Sequence, residues 1–158
     1  DDFVMMFAGL ISVFPVLPVF GPEARLQPVF VDDVAAGIAN ILADSEKLGG
    51  KTYEAAGPEV ITMLELNERI AQAQGRQRLF VELPDTVSGA FATLTGWLPG
   101  APITRDQFEL LRAGNVATGK RPSLKALGLA VRPLGLFLER WMVRFRKHGR
   151  FGEKASVR

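Results

Sequence analysis

Cysteine is absent from this chain of 158 residues, and histidine occurs once, at His148. Without cysteine, the chain can form no disulfide, no thiolate metal site and no cysteine nucleophile. A single histidine excludes a metal site built from several histidines and argues against a Ser-His catalytic triad. We therefore expect no metal site, and a fold that is compatible with any redox compartment.

Long uninterrupted apolar runs are also lacking. Residues 3–20 approach the length of a membrane-spanning helix, but Pro15 and Pro18 interrupt the run. The run is not preceded by the basic residues of a secretory signal peptide. We interpret it as a buried helix over about residues 2–13, followed by a short strand.

A glycine-rich phosphate loop is missing as well. No G-x-G-x-x-G motif opens a strand–helix unit, so the helix N-terminus that would hold a dinucleotide phosphate is not found in this chain. The segment Leu48–Lys51 contains two glycines but lacks the spacing of a P-loop, and we interpret it as a turn.

Charge is present but unevenly distributed. Residues 1–119 contain 8 Lys/Arg and 15 Asp/Glu, whereas residues 120–158 contain 11 Lys/Arg and 2 Asp/Glu. We therefore divide the chain into a main lobe, residues 1–119, and a basic C-terminal extension, residues 120–158. The asymmetry points to an acidic partner or an anionic membrane surface. Nucleic acid is the weaker option, because no motif of a nucleic-acid-binding fold accompanies the charge.

The segment from Arg25 to Ile38 reads as an extended stretch that runs directly into a helix. A carboxylate at Asp32 or Asp33 could cap that helix. We expect its apolar face to consist of Val34, Ile38, Ile41 and Leu42.

The rest of the main lobe alternates short helices and strands. Thr62 and Glu65 have the spacing of a capping box and predict a helix that ends before Gly75. The other predicted elements are a loop at residues 47–50, strands at 51–56 and 78–83, a helix at 85–98, a second capping box at 104–107 with its helix, and a short helix from Ser123 to Gly128.

A strict amphipathic stripe follows Pro133 and predicts a helix to about His148. Its apolar members, at helical spacing, are Leu134, Phe137, Leu138, Trp141, Met142 and Phe145. Two interpretations remain open: a helix that covers the core and has a solvated basic face, or an interfacial helix on anionic lipid. The candidate residues for binding a membrane or a partner are Phe137, Arg140, Trp141, Arg144, Phe145 and Lys147.

Several segments resemble one family of nucleotide-binding proteins. They are Leu17–Gly21 with Arg25–Val29, Phe30–Ala35, and Gly50–Pro58 followed by Ile61–Leu66. Together they resemble the C-terminal half of extended and atypical short-chain dehydrogenase/reductases, in the NAD-dependent epimerase/dehydratase superfamily. The nearest branch includes the nucleotide-binding accessory subunit of respiratory complex I.

The resemblance implies an α/β fold: the C-terminal substrate lobe of a Rossmann-type protein, with a few short strands and several helices. It also implies that the N-terminal Rossmann half lies upstream, and that NAD(P) binds the parent protein and not this piece alone. Of the residues in this chain, Arg25, Gln27 and Pro28 are the candidates for contact with the ligand. The family's Tyr-x-x-x-Lys pair is missing, since Tyr53 is the only tyrosine and Gly57 stands four residues after it.

Three functions are compatible with this resemblance. The parent could be an accessory or assembly subunit of NADH:ubiquinone oxidoreductase, or an active NAD(P)-dependent sugar-nucleotide epimerase or reductase. Alternatively, the chain could be a membrane- or partner-binding module without nucleotide. We expect no catalytic residue in this piece, a cytoplasmic location that could be peripheral to the inner membrane, and respiratory subunits as partners. We also expect the isolated piece to self-associate.

Overall fold

The computed structural model describes residues 2–95, 105–147 and 149 of the chain. Within them, helices and short strands alternate, which confirms the predicted mixed α/β class. In chain order the elements are α1 (Asp2–Val13), β1 (Val16–Phe20), β2 (Arg25–Leu26), α2 (Val31–Ala43), α3 (Ser45–Leu48), β3 (Ile61–Thr62), α4 (Met63–Ala73), β4 (Leu79–Leu83), α5 (Asp85–Thr95), α6 (Arg105–Ala113), a 3-10 helix (Leu124–Leu127), α7 (Gly135–Met142) and a second 3-10 helix (Val143–Phe145).

Two small sheets are formed. β1 and β4 are parallel, with a register that runs from Val16 opposite Leu79 to Phe20 opposite Leu83. β2 pairs with β3 in the other sheet. Two parallel strands need a long crossover connection, and the chain between β1 and β4 provides this connection.

The chain folds into two compact units. The first consists of Asp1–Arg25, Ile61–Gly114 and Leu138–Arg158. In it α1 packs on α4, and α4 also contacts both strands of the parallel pair. The core of this unit is apolar, and its fully buried side chains include Ile11, Val19, Ile61, Ile70 and Met142.

Local signals explain most of the boundaries in the first unit. α1 ends before Pro15, and the predicted capping box of Thr62 and Glu65 is confirmed at the start of α4, with both reciprocal hydrogen bonds present. Two arginines satisfy carbonyl groups near helix C-termini: Arg78 Nε donates to Ile11 O at 2.8 Å, and Arg146 Nε donates to Ala73 O at 2.9 Å. A positive charge at this end of a helix is also favoured by the helix dipole.

The second unit consists of Leu26–Val60 and Asn115–Phe137. Here α2 lies against the 3-10 helix Leu124–Leu127. The approach is close because residue 37 is a glycine: a Cβ there would lie 3.1 Å from Leu124 Cδ2 and 3.2 Å from Leu127 Cδ1. Asn40 Nδ2 donates to Leu127 O at 2.9 Å and fixes the same contact.

The predicted apolar face of α2 is wrong at two of its four positions. Val34 and Ile41 are half-buried, but Ile38 and Leu42 are exposed, and the buried positions of the helix are Asp33 and Gly37. The helix turns this way because Asp33 has a charged partner inside the unit. The predicted cap is wrong too, since α2 begins at Val31, its N-cap is Phe30, and no side chain caps it.

Other predicted boundaries shift. The predicted loop at 47–50 overlaps the short helix α3, and the predicted strand at 51–56 is reduced to one bridge between Glu54 and Ser123. The long C-terminal helix ends at Met142 and continues as a 3-10 helix. The predictions for residues 96–104, including the second capping box at Thr104, lie outside the described residues.

Candidate functional site

The centre of the Asp32-Asp33-Val34 segment is an ion pair between the buried carboxylate of Asp33 and the guanidinium of Arg132, whose side chain is 42% exposed. Asp33 is 5% exposed, and its Oδ1 accepts hydrogen bonds from Arg132 Nε at 2.7 Å and from Nη2 at 2.5 Å. Its Oδ2 accepts the backbone N–H of Arg132 at 2.9 Å. Both carboxylate oxygens are therefore occupied by a single residue that lies 99 positions later in the chain.

Two aromatic rings enclose this pair. The rings of Phe30 and Phe137 stack with their centroids 3.7 Å apart and their planes 11° apart. The guanidinium carbon of Arg132 lies 4.6 Å from the centroid of Phe30 and 5.5 Å from that of Phe137. The guanidinium of Arg132 is thus hydrogen-bonded to Asp33 and also lies within cation–π distance of the stacked rings.

The charge on Asp33 is stabilised in spite of its burial. Burial alone would raise the pKa of this carboxyl, but the hydrogen bonds and the positive charge of Arg132 outweigh that effect and leave the pKa below its ordinary value. Asp33 is therefore an ionised structural partner.

Gln27 bridges two backbone segments. Its Nε2 donates to Gly57 O at 2.8 Å, and its Oε1 accepts the N–H of Ala117 at 2.9 Å. The same corner is tightly packed: a Cβ at Gly57 would collide with the carbonyl oxygen of Pro28. These two bonds fix the Gln27 amide, and its second N–H and second oxygen lone pair are in addition to them.

Of the three candidate ligand residues, Arg25 differs from the other two. Its side chain is exposed, whereas Gln27 and Pro28 are half-buried. Arg25 belongs to the first unit, and Gln27 and Pro28 belong to the second. Gln27 and Pro28 thus lie together near Gly57, and the Gln27 amide and the Pro28 carbonyl oxygen are directed at the backbone there.

A carboxylate also sits in a small nest of backbone N–H groups. Glu54 accepts the N–H of Thr118 at 3.0 Å, the N–H of Gly119 at 2.9 Å and the Thr118 hydroxyl. The hydroxyl and these N–H groups lower the pKa of Glu54 below its ordinary value. Sequence reasoning missed both Glu54 and Arg132, because the partners of each are distant in the chain and no local motif marks them.

The basic extension divides into side chains that hold the fold and side chains that face solvent. Arg146 holds the end of α4, and Arg144 Nη2 lies 3.0 Å from Met5 Sδ. Arg140 and Lys147 are exposed. The aromatic candidates Trp141 and Phe145 are half-buried, like Phe137 in its stack.

Over the described ranges, no helix is long and apolar enough to cross a membrane. No three His, Cys, Asp or Glu side chains among those residues lie close enough to hold a metal ion.

Comparison with known proteins gives long partial matches. The chain is 29% identical over 167 aligned residues to the Arabidopsis thaliana protein "NADH dehydrogenase [ubiquinone] 1 alpha subcomplex subunit 9, mitochondrial", covering 99% of this chain and 42% of that protein. The rat subunit of the same name is 32% identical over 111 residues, covering 70% of this chain and 29% of the relative. The chain is homologous to this subunit.

The match to subunit 9 confirms the resemblance to the accessory-subunit branch. The chain spans less than half the length of these relatives. A rice protein named cyclin-B1-2 is 36% identical over 71 residues, but that match covers only 45% of this chain and supports no proposal here. No family model matches the chain.

The homology to subunit 9 overturns one expectation. We predicted a cytoplasmic location, and this is wrong because the relatives from Arabidopsis, rat and mouse are mitochondrial subunits.

Proposed function

We propose that this chain is part of an accessory or assembly subunit of mitochondrial NADH:ubiquinone oxidoreductase. The observation that carries the proposal is the match to subunit 9 along 99% of the chain. The contacts of the matched stretch support a scaffold: Asp33 and Gln27 both use their polar atoms to bind other parts of the fold.

The test is assembly of the full-length protein. A tagged copy should migrate with the NADH dehydrogenase on a native gel of solubilised mitochondria, and its deletion should reduce the amount of assembled complex. Normal assembly and activity after deletion, with the tagged protein migrating separately, would contradict the proposal.

NAD(P) is the cofactor that we propose for the full-length protein. This chain has no glycine-rich phosphate loop. Its residues alone therefore do not form a dinucleotide-binding site, and we place the phosphate-binding loop in the remainder of the protein. Arg25, with an exposed guanidinium, is the side chain best able to add a bidentate phosphate contact. Gln27 and Pro28 are the other candidates for contact with the ligand.

Titration calorimetry with NADPH separates the contribution of Arg25 from that of the remainder of the protein. The 158-residue chain should give no binding heat, and Arg25→Ala in the full-length protein should weaken binding by about tenfold or more, because charged hydrogen bonds are lost. Lys51→Ala is the matched control, since Lys51 is an exposed basic residue bonded to Lys47 O, and it should leave affinity unchanged. Micromolar binding to the short chain would contradict this assignment.

The basic extension, residues 120–158, favours a second role: binding an anionic membrane surface. The exposed guanidinium of Arg140 and ammonium of Lys147 support it. Trp141, Phe145 and Phe137 are more covered and would insert little, so we propose that charge contributes most of the attraction, with Arg144 assisting.

Vesicle sedimentation tests this role. Replacing Arg140 and Lys147 by Gln should reduce binding to mixed phosphatidylcholine–phosphatidylserine vesicles by roughly 30-fold, at about 1 kcal/mol for each charge. Arg146→Gln should reduce vesicle binding less and lower the free energy of unfolding by about 1 kcal/mol, since Arg146 bonds to Ala73 O. Equal binding to pure phosphatidylcholine would exclude the electrostatic mechanism.

A further inference from the structure

Helix α2 presents an apolar stripe to solvent. The outward stripe consists of Val31, Ala35, Ile38, Ala39 and Leu42, at offsets 0, 4, 7, 8 and 11, which lie on one face of a helix. Its large members are well exposed: Val31 is 69%, Ile38 is 55% and Leu42 is 74% exposed. No charged residue interrupts it.

The opposite face of α2 faces into the second unit, and it carries the half-buried Val34 and Ile41 beside Asp33, Gly37 and Asn40. Asp33 binds Arg132, Gly37 permits the close approach of the 3-10 helix, and Asn40 donates to Leu127 O. These three positions fix the rotation of α2 about its axis. The outward stripe therefore cannot turn inward without separating the buried carboxylate of Asp33 from Arg132, which is destabilising.

The charges around the outward stripe indicate what covers it. Asp32 lies beside its start, and Asp44, Glu46 and Lys47 follow its end; all four are exposed, and each end has a net charge of −1. A second copy of α2 in antiparallel orientation would bring Asp32 against Asp44 of the other copy, and a parallel copy would bring Asp32 against Asp32. Like charges in these positions oppose self-pairing. Lys or Arg on the partner would complement both ends.

We propose that the outward stripe of α2 is the docking surface for an amphipathic helix of another subunit of the respiratory complex, one whose apolar stripe is flanked by Lys or Arg. This inference rests on the proposed function. The stripe extends from Val31 to Leu42, a rise of about 16 Å, which matches about three turns of a partner helix. Helix-in-groove recognition uses anchors at i, i+3, i+4 and i+7, the spacing of Ala35, Ile38, Ala39 and Leu42.

The experiment places a single thiol on the stripe in the full-length protein. The 158 residues contain no cysteine of their own, so Ala35→Cys introduces a thiol whose labelling can be read from this part of the chain. We expect a maleimide reagent to label it in the free protein and at least about tenfold more slowly in the assembled complex. Benzophenone-maleimide on the same thiol should cross-link to a helix of a different subunit, with Lys or Arg beside the apolar residues, as found by mass spectrometry.

A charge substitution gives an independent readout. Leu42→Lys should reduce the fraction of protein in the complex by at least about tenfold, because it buries a charge in an apolar contact. Leu110→Lys is the matched control, since Leu110 is a 72% exposed leucine on α6, and it should assemble normally. Circular dichroism of both variants checks that they fold.

The outcomes separate the two proposals. If the unmodified protein does not migrate with the complex, the proposed function fails and the docking inference fails with it. If it does migrate but the thiol at position 35 stays accessible, or cross-links only within its own polypeptide, the docking inference alone is overturned. A slow labelling rate in the free protein would also overturn it, because the stripe would then be covered without a partner.

Discussion

At the scale of the residue, Arg132 makes the contacts that hold Asp33 in place, although the sequence did not single it out. It satisfies both oxygens of Asp33 and lies over two aromatic rings. Because Asp33 is buried, removing its partner leaves a carboxylate without compensation. The free-energy cost of a buried carboxylate without a partner is larger than the net stabilisation that the intact ion pair provides.

Replacing Arg132 by Met should lower the free energy of unfolding by about 2 kcal/mol at neutral pH, through the loss of hydrogen bonds to a charged group. Urea denaturation measures this, and Asp32→Asn, one position away but exposed, is the control that should change little. An unchanged denaturation midpoint for Arg132→Met would show that the pair contributes nothing.

The pH dependence of the Asp33 contribution follows from its lowered pKa. A carboxyl whose pKa is lower in the folded state stabilises the fold above its unfolded pKa, near 3.8, and loses that contribution as the pH falls through the folded value. The difference in unfolding free energy between the wild type and Asp33→Asn should therefore be full at pH 6 and decline below about pH 4.

At the scale of the element, local sequence predicted helices and strands better than it predicted their orientation. α4 begins at its capping box because Thr62 and Glu65 lie three residues apart and need no distant partner. α2 was also found, but its buried face was assigned to Ile38 and Leu42. Its rotation depends on Arg132 and Leu127, which lie far along the chain, so hydrophobic spacing alone could not reveal it. Gln27 depends in the same way on Gly57 and Ala117.

The capping box gives a test at this scale. Thr62→Ala should cost about 1 kcal/mol of stability, and the double variant with Glu65→Ala should cost less than the sum of the singles by at least about 0.5 kcal/mol, since each side chain caps with the other's backbone. Thr93→Ala, an exposed threonine bonded within α5, should change stability by less than about 0.5 kcal/mol. Strictly additive costs at Thr62 and Glu65 would contradict a reciprocal box.

At the scale of the whole molecule, the parallel pair is covered unevenly: α4 contacts both strands, and Phe20 and Leu83 at one end pack in a cluster with Phe108 and Leu111 of α6. Leu17 and Val19 are buried, whereas Val16, Leu79 and Val81 are exposed, and Val16 lies opposite Leu79 in the register. Parallel sheets in proteins are normally covered on both faces. This apolar face supports the expectation that the isolated chain self-associates and that the remainder of the protein covers the face.

Sedimentation velocity should therefore show a concentration-dependent increase in sedimentation coefficient for the 158-residue chain, and Val81→Lys should shift it toward the monomer by placing a charge on the face. Val87→Lys, on a half-exposed valine of α5, is the matched control. A wild-type chain that stays monomeric at all concentrations would contradict the expectation.

The first unit is assembled from three separate stretches of chain, and this has a consequence for biosynthesis. Within these 158 residues, α1 is translated before its partners: Gln74, which bonds to Ala8 O, follows 66 residues later, and Arg144, which contacts Met5, follows 139 residues later. Until then these contacts with α1 cannot form. We therefore expect the nascent chain to bind a holding chaperone until residues 138–145 have been translated.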